Sequence, residues 1–113
     1  MEKFMLIFIG GNEPEVLTSP ESMQAYMQEW FTWIEKLKKE GRYEGGEALE
    51  PSGKGVNGTK KVVTDGPFAE GKELVGGYFV VKAKNIDEAV VISKDCPGLK
   101  YECRVEVRPV MKM

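Results

Sequence analysis

A chain of 113 residues with 42% hydrophobic and 30% charged residues can close one hydrophobic core, and it is read as a single domain over residues 1–113. Its 16 Lys and Arg against 18 Asp and Glu leave a formal net charge of −2, without the basic excess that phosphate neutralisation requires, so no direct nucleic-acid binding is expected. It contains no His, which removes the commonest general base near neutral pH and the commonest transition-metal ligand.

The apolar run at residues 4–9 is too short for a membrane span and lacks the flanks of a secretion signal. Cys96 and Cys103 match no zinc or redox spacing. The expectation is a cytoplasmic protein with reduced thiols, no membrane association, no bound metal and no cofactor.

Residues 3–9 predict a strand that is apolar on both faces, Phe4, Leu6 and Phe8 on one and Met5, Ile7 and Ile9 on the other. Residues 10–17 read as a loop. A helix then starts, either with a capping box of Thr18 and Glu21 or with Ser19 as cap before Pro20, and it stops at Gly41. Its inner face runs through Met23, Met27, Trp30, Ile34 and Leu37, widened by Tyr26 and Trp33. Residues 43–49 predict a short strand weakened by Gly45-Gly46, residues 51–58 a Gly-rich loop, residues 60–64 a strand, and Asp65-Gly66-Pro67-Phe68 a turn. Residues 74–83 predict a second strand apolar on both faces. Asn85 caps a second helix with Glu88 at N3, its inner face formed by Ile86, Ala89, Val90 and Val91, and Cys96-Pro97-Gly98 ends it. In residues 101–110, Tyr101, Cys103, Val105 and Val107 alternate with Glu102, Arg104, Glu106 and Arg108.

This order is that of a ferredoxin-like, split β-α-β domain of the α+β class: an antiparallel sheet with two helices on one face, here with an extra hairpin element in the middle. Two central strands apolar on both faces leave one sheet face uncovered. A second copy packed face to face about a two-fold axis is the expected cover, so the chain is read as a homodimer.

Three motifs bear on chemistry. Gly53-Lys54-Gly55-Val56-Asn57-Gly58 matches a dinucleotide-binding pattern, but Pro51 before it and a strand after it give the wrong context, and a hairpin loop is the better reading. Asp65 either accepts backbone N–H bonds within its turn or is held at a strand end as a base or cation ligand. Arg104 and Arg108 either form cross-strand ion pairs or anchor an anion. Cys103 reads as an inert core residue.

Val63-Thr64-Asp65-Gly66-Pro67-Phe68-Ala69-Glu70, followed by Lys72-Glu73 and Gly76-Gly77-Tyr78, resembles the signature of the DGPF branch of the YCII-related proteins. Gly45-Gly46-Glu47-Ala48-Leu49, Asp87-Glu88-Ala89, Cys96-Pro97 and Val105-Glu106-Val107-Arg108-Pro109-Val110 match it in order and spacing. The resemblance implies a ferredoxin-like fold, a dimeric α/β-barrel assembly and a small stand-alone protein, in a family of mostly unknown function. It also implies an association of some members with sigma factors. The wider family is suspected of catalysis through a His and Asp pair and includes a dehydrochlorinase of aromatic degradation. Asp65 matches the family Asp, but the His position falls near Trp30, and an indole cannot accept a proton. Gly71 stands where Thr or Ser is usual.

Asp65 is therefore the candidate catalytic residue, and Trp30, Tyr78 and Arg108 are the candidate ligand-binding residues. The expected function is a homodimer that binds a small anionic or aromatic molecule in a cleft near the sheet, with a link to transcription implied by the sigma-factor association alone. The alternative is a lyase of the dehydrochlorinase kind, with Asp65 as acid/base and Arg108 as anchor.

Overall fold

The structure, a computed structural model, describes residues 1–67 and 73–113. Phe68 of the predicted turn and the motif residues Ala69, Glu70, Gly71 and Lys72 lie outside the described residues. The chain runs β1 (Glu2–Gly10), α1 (Glu13–Val16), α2 (Pro20–Lys39), β2 (Tyr43–Ala48), β3 (Lys54–Asn57), β4 (Val62–Asp65), β5 (Val75–Ala83), α3 (Ile86–Ser93), a 3-10 turn (Pro97–Tyr101) and β6 (Cys103–Pro109). Four strands form an antiparallel sheet in the order β2-β5-β1-β6, while among the described residues β3 and β4 pair with each other and not with this sheet. This is the α+β, split β-α-β architecture that the pattern of elements predicts.

The two-sided apolar strands take the sheet centre because only there are both neighbours strands. Register places Leu6 opposite Phe79 and Val107, and Phe8 opposite Val105, on the face that receives Trp33 and Leu37 of α2 and Ala89 and Ile92 of α3. Phe4, Leu6, Leu37 and Val81 are the largest fully buried side chains of this core. On the other face Met5 pairs with Val80 and Ile7 with Tyr78, and all four stay half-exposed beside Glu106 and Arg108. The second apolar face predicted for β1 and β5 is thus present, and no described helix packs on it.

Of the two possible caps for α2, the structure takes Ser19. The Ser22 N–H donates to Ser19 Oγ at 3.0 Å, and Pro20 occupies the first turn, where a missing N–H costs nothing. The helix ends in a Schellman arrangement: Arg42 N–H donates to Leu37 O at 2.9 Å and Gly41 N–H to Lys38 O at 3.0 Å, with Gly41 at φ +71°. Its buried stripe is Tyr26, Trp33 and Leu37, while Met27 is 43% exposed. The helix is therefore rotated from the predicted face, so that the wide aromatic rings are covered instead of the flexible Met27.

In α3 the Asn85 side chain accepts from Glu88 N–H at 2.9 Å, as the cap predicts. Its inner face is Ala89, Ile92 and Ser93, however, and Ile86, Val90 and Val91 are exposed. The small Ala89 lets the helix lie close to the sheet, and that contact selects the face. Three elements went unforeseen: α1, the 3-10 turn, and β3 inside the predicted loop. The β3–β4 turn uses positive φ at Gly58 (71°) and Lys61 (55°), and Asp65 is the last residue of β4. Because β3 occupies the Gly53 to Gly58 pattern, a strand hairpin stands where dinucleotide binding would need a helix.

Arg42 ties three elements together. It donates to Lys82 O at 3.3 Å and to Glu88 Oε1, and Lys84 N–H donates to the same Glu88 oxygen at 3.1 Å. The Arg42 hydrogen bond, helped by Lys84 N–H, holds the Glu88 carboxyl below its ordinary value. A lowered folded-state pKa stabilises the fold above the ordinary carboxylate pKa of about 4.3 and loses that effect as pH falls through and below it. Urea unfolding at pH 7 and pH 3 should show Glu88→Gln costing more stability at pH 7 than at pH 3. An equal cost at both values would show that the pair carries no such linkage.

Candidate functional site

Two glycine pairs shape a hollow between α2 and the sheet. A Cβ at Gly46 would lie 2.4 Å from Tyr78 O, and one at Gly77 would lie 2.7 Å from Glu47 O. No side chain can stand at either position without moving backbone, so the sheet surface is bare there. The resulting pocket of 330 Å³ is walled by aromatic rings: Tyr26, Trp30 and Phe31 from α2, and Phe8, Tyr43 and Phe79 from the sheet. Trp30 stands edge-on to Phe8 (centroids 5.0 Å apart, 79°) and to Phe79 (5.7 Å, 86°), so its neighbours hold the ring upright.

Two carboxylates, Glu13 and Glu47, share these walls. Glu13 comes from α1, whose first turn brings it back over Gly11. Gly11 has φ +109°, and a Cβ there would sit 2.1 Å from Glu13 Oε1. That oxygen is buried and has no hydrogen-bond partner among the described residues. Burial raises the Glu13 carboxyl above its ordinary value, opposed by a bond from its own backbone N–H. Burial also raises the Tyr26 phenol, against a hydrogen bond with Trp30 and with the Glu13 charge adding to it.

Cys103 lines the pocket as well as touching the core. The 3-10 turn brings it against Cys96, a meeting that six intervening residues gave no sign of. The Cys103 thiol donates to Arg104 O at 3.5 Å, and the interaction between the two sulfurs, together with burial of Cys96, raises Cys96 while lowering Cys103 from their ordinary values. Cys103 is thus a hydrogen-bonded thiol on a pocket wall, where the sequence suggested an inert core residue.

A single chain does not bring the four predicted site residues together. Trp30 lines the pocket. Tyr78 and Arg108 lie on the opposite sheet face, Tyr78 across from Ile7 and Arg108 across from Met5. Arg104 on that strand pairs with Glu73, which precedes β5 (2.5 Å), and with Glu106 of its own strand (3.6 Å), so its ion pairs are not the cross-strand ones expected. Asp65 ends β4 with its side chain 93% exposed, and Lys54 Nζ reaches it at 2.6 Å. The Gly66 N–H donates to Gly53 O at 2.7 Å, so that donor of the turn is met by backbone and does not need Asp65. Pro67 lines a groove with Ala48, Leu49, Leu74 and Val75, and Ala48 also borders the aromatic pocket.

With an exposed ion pair as its described contact, Asp65→Ala should change stability by no more than about 0.5 kcal/mol in chemical denaturation, and Asp65→Asn by no more than that. A loss of about 1 kcal/mol or more in Asp65→Ala alone would restore the turn-capping role.

Among the described residues, no three of Cys, Asp and Glu are grouped to hold a metal ion, and no helix is long and apolar enough to cross a membrane. A family model described as the YCII-related domain matches residues 4–113. No curated protein matches the chain by sequence. Among solved structures, the chain is similar to 5-chloro-2-hydroxyhydroquinone dehydrochlorinase from Burkholderia phenoliruptrix AC1100, in complex with 2,5-dihydroxybenzoquinone. Identity is 18% and the TM-score 0.50, over 96% of this chain and 93% of that one, a likeness of fold.

Proposed function

The chain belongs to the YCII-related family, and from that premise we propose that it is a homodimer that binds a small aromatic molecule in the pocket beside Trp30. The observation that carries this reading is the pocket itself: 330 Å³, six aromatic side chains, and strand positions kept free of side chains by Gly46 and Gly77. A volume of this order suits a single-ring compound, and apolar walls with a few polar groups are the usual form of a ligand site. Trp30, at the position where the family resemblance places a His, supplies a stacking wall in place of a proton acceptor. The dimer is supported by the half-exposed row Met5, Ile7, Tyr78 and Val80.

Tryptophan fluorescence tests the site. Titration with single-ring compounds should give saturable quenching, and Trp30→Ala should weaken binding at least tenfold as measured by calorimetry. Equal affinity in parent and variant would place the ligand elsewhere.

An enzymatic reading draws on the dehydrochlorinase fold neighbour and on Asp65. Within one chain Asp65, at the end of the β3–β4 hairpin, is not among the residues that line the pocket, so this reading calls for a second copy to deliver the carboxylate. Asp65→Asn that keeps ligand affinity and loses turnover would favour the enzyme. If no turnover of any bound compound is found in the parent, the binding reading stands alone.

A further inference from the structure

We propose that the pocket selects an amine, with the protonated nitrogen at Glu13 and the apolar body among Tyr26, Trp30 and Phe79; this rests on the small-molecule reading and names the ligand's charge. The first argument is the sign of the walls. Glu13 and Glu47 are the formally charged side chains that line the pocket, and no Lys or Arg among the described residues lines it. Lys38 stands over the Tyr43 ring, 5.8 Å from its centre, without lining the pocket. An anion placed here would meet two carboxylates and no counter-charge in a partly dry site, where charges are weakly screened.

The second argument is an unmet acceptor. Glu13 Oε1 is buried without a described donor, which costs free energy unless something donates to it. Position 11 is a glycine where a Cβ would collide with that oxygen, so the backbone is built to let the carboxylate lie inward. If the Glu13 carboxyl turns toward the pocket that its side chain lines, an ammonium N–H would supply the missing donor and the opposite charge together, giving the stronger, charge-assisted kind of hydrogen bond.

The third argument is the aromatic wall. Rings carry negative faces that attract a cation within roughly 6 Å of the centroid, and the attraction grows when water is excluded. A neutral ring compound would use the same apolar area but neither electrostatic feature. The Glu13 carboxylate enters the first two observations and the aromatic rings supply the third, and all three favour a cationic donor.

Three probes of nearly equal size separate the possibilities near neutral pH: 2-phenylethylammonium, 2-phenylethanol and phenylacetate. Calorimetric titration of the full chain should give at least tenfold tighter binding for the ammonium than for the alcohol, with phenylacetate weakest. Glu13→Gln should erase the ammonium's advantage over the alcohol, and Glu47→Gln should reduce that ratio by a smaller factor. The parent ranking decides the question even if a variant fails to fold. Equal binding of ammonium and alcohol, or tightest binding of phenylacetate, would overturn the charge preference while leaving the aromatic pocket intact. If none of the three binds, both this inference and the small-molecule reading fall.

Discussion

Phe79→Ala should destabilise the fold by about 3–5 kcal/mol, a large share of the roughly 5–15 kcal/mol that a small domain has in total. Phe79 is the hub of the aromatic cluster. Its ring meets Phe8, Trp30, Trp33 and Tyr43 with centroids 5.0, 5.7, 5.1 and 5.2 Å away, and the residue is 6% exposed. Removing it opens a cavity between α2 and the sheet that these rings cannot fill without leaving their rotamers. It also takes away the ring that holds Trp30 upright, so ligand binding should fall with stability. Urea unfolding measures the effect as a lower midpoint at unchanged slope. A cost under about 1 kcal/mol would show that the cluster repacks freely.

The second large effect concerns assembly. Sedimentation at low micromolar concentration should return about twice the 12.7 kDa chain mass, and Ile7→Lys should return one chain mass. Ile7 sits in the middle of the open face, between Tyr78 on β5 and Glu106 on β6. In a lone chain a lysine there gains Glu106 as a cross-strand neighbour, a favourable pairing that a glutamate would lack. Against a second sheet the same ammonium would be stripped of water, at a cost of several kcal/mol. The choice of lysine thus separates loss of dimer from loss of fold. A parent that runs as a monomer, or an Ile7→Lys variant that stays dimeric, would reject face-to-face pairing.

Much of this fold was legible because its signals are local and redundant. The apolar parity of β1 and β5, the Asn85 cap and the Gly41 stop each rest on a few adjacent residues. Helix faces were less legible. Met27 and Trp33 both fit the helical period, and only the width of the sheet surface decides which is covered. For α3 the decision rests on the size of Ala89, which hydrophobicity alone does not register. β3 was missed because Lys54-Gly55-Val56-Asn57 has one apolar side chain and gains its structure from pairing with β4. Of the site, Trp30 was found through the family resemblance. Glu13 and Glu47 were missed, since a four-residue helix and a strand edge place them. The repeated pairs Gly45-Gly46 and Gly76-Gly77 were the available signal: adjacent strands that each lack side chains over a stretch leave a hollow, here lined by Gly46, Gly76 and Gly77.

The outer strands of the sheet decide how far self-association can run. β2 is six residues long and is broken in register at Glu44, which is held by Lys82 at 2.8 Å. β6, at the other edge, carries Arg104, Glu106 and Arg108 and ends on Pro109, which has no N–H to offer. Neither border presents the long, flat, uncharged row of free backbone groups on which a further strand could grow. Growth strand by strand is therefore blocked at both ends, and contact through the sheet face uses up its single surface when two copies meet. A pair formed through that face would therefore be a closed one, with no border left from which a fibre could extend.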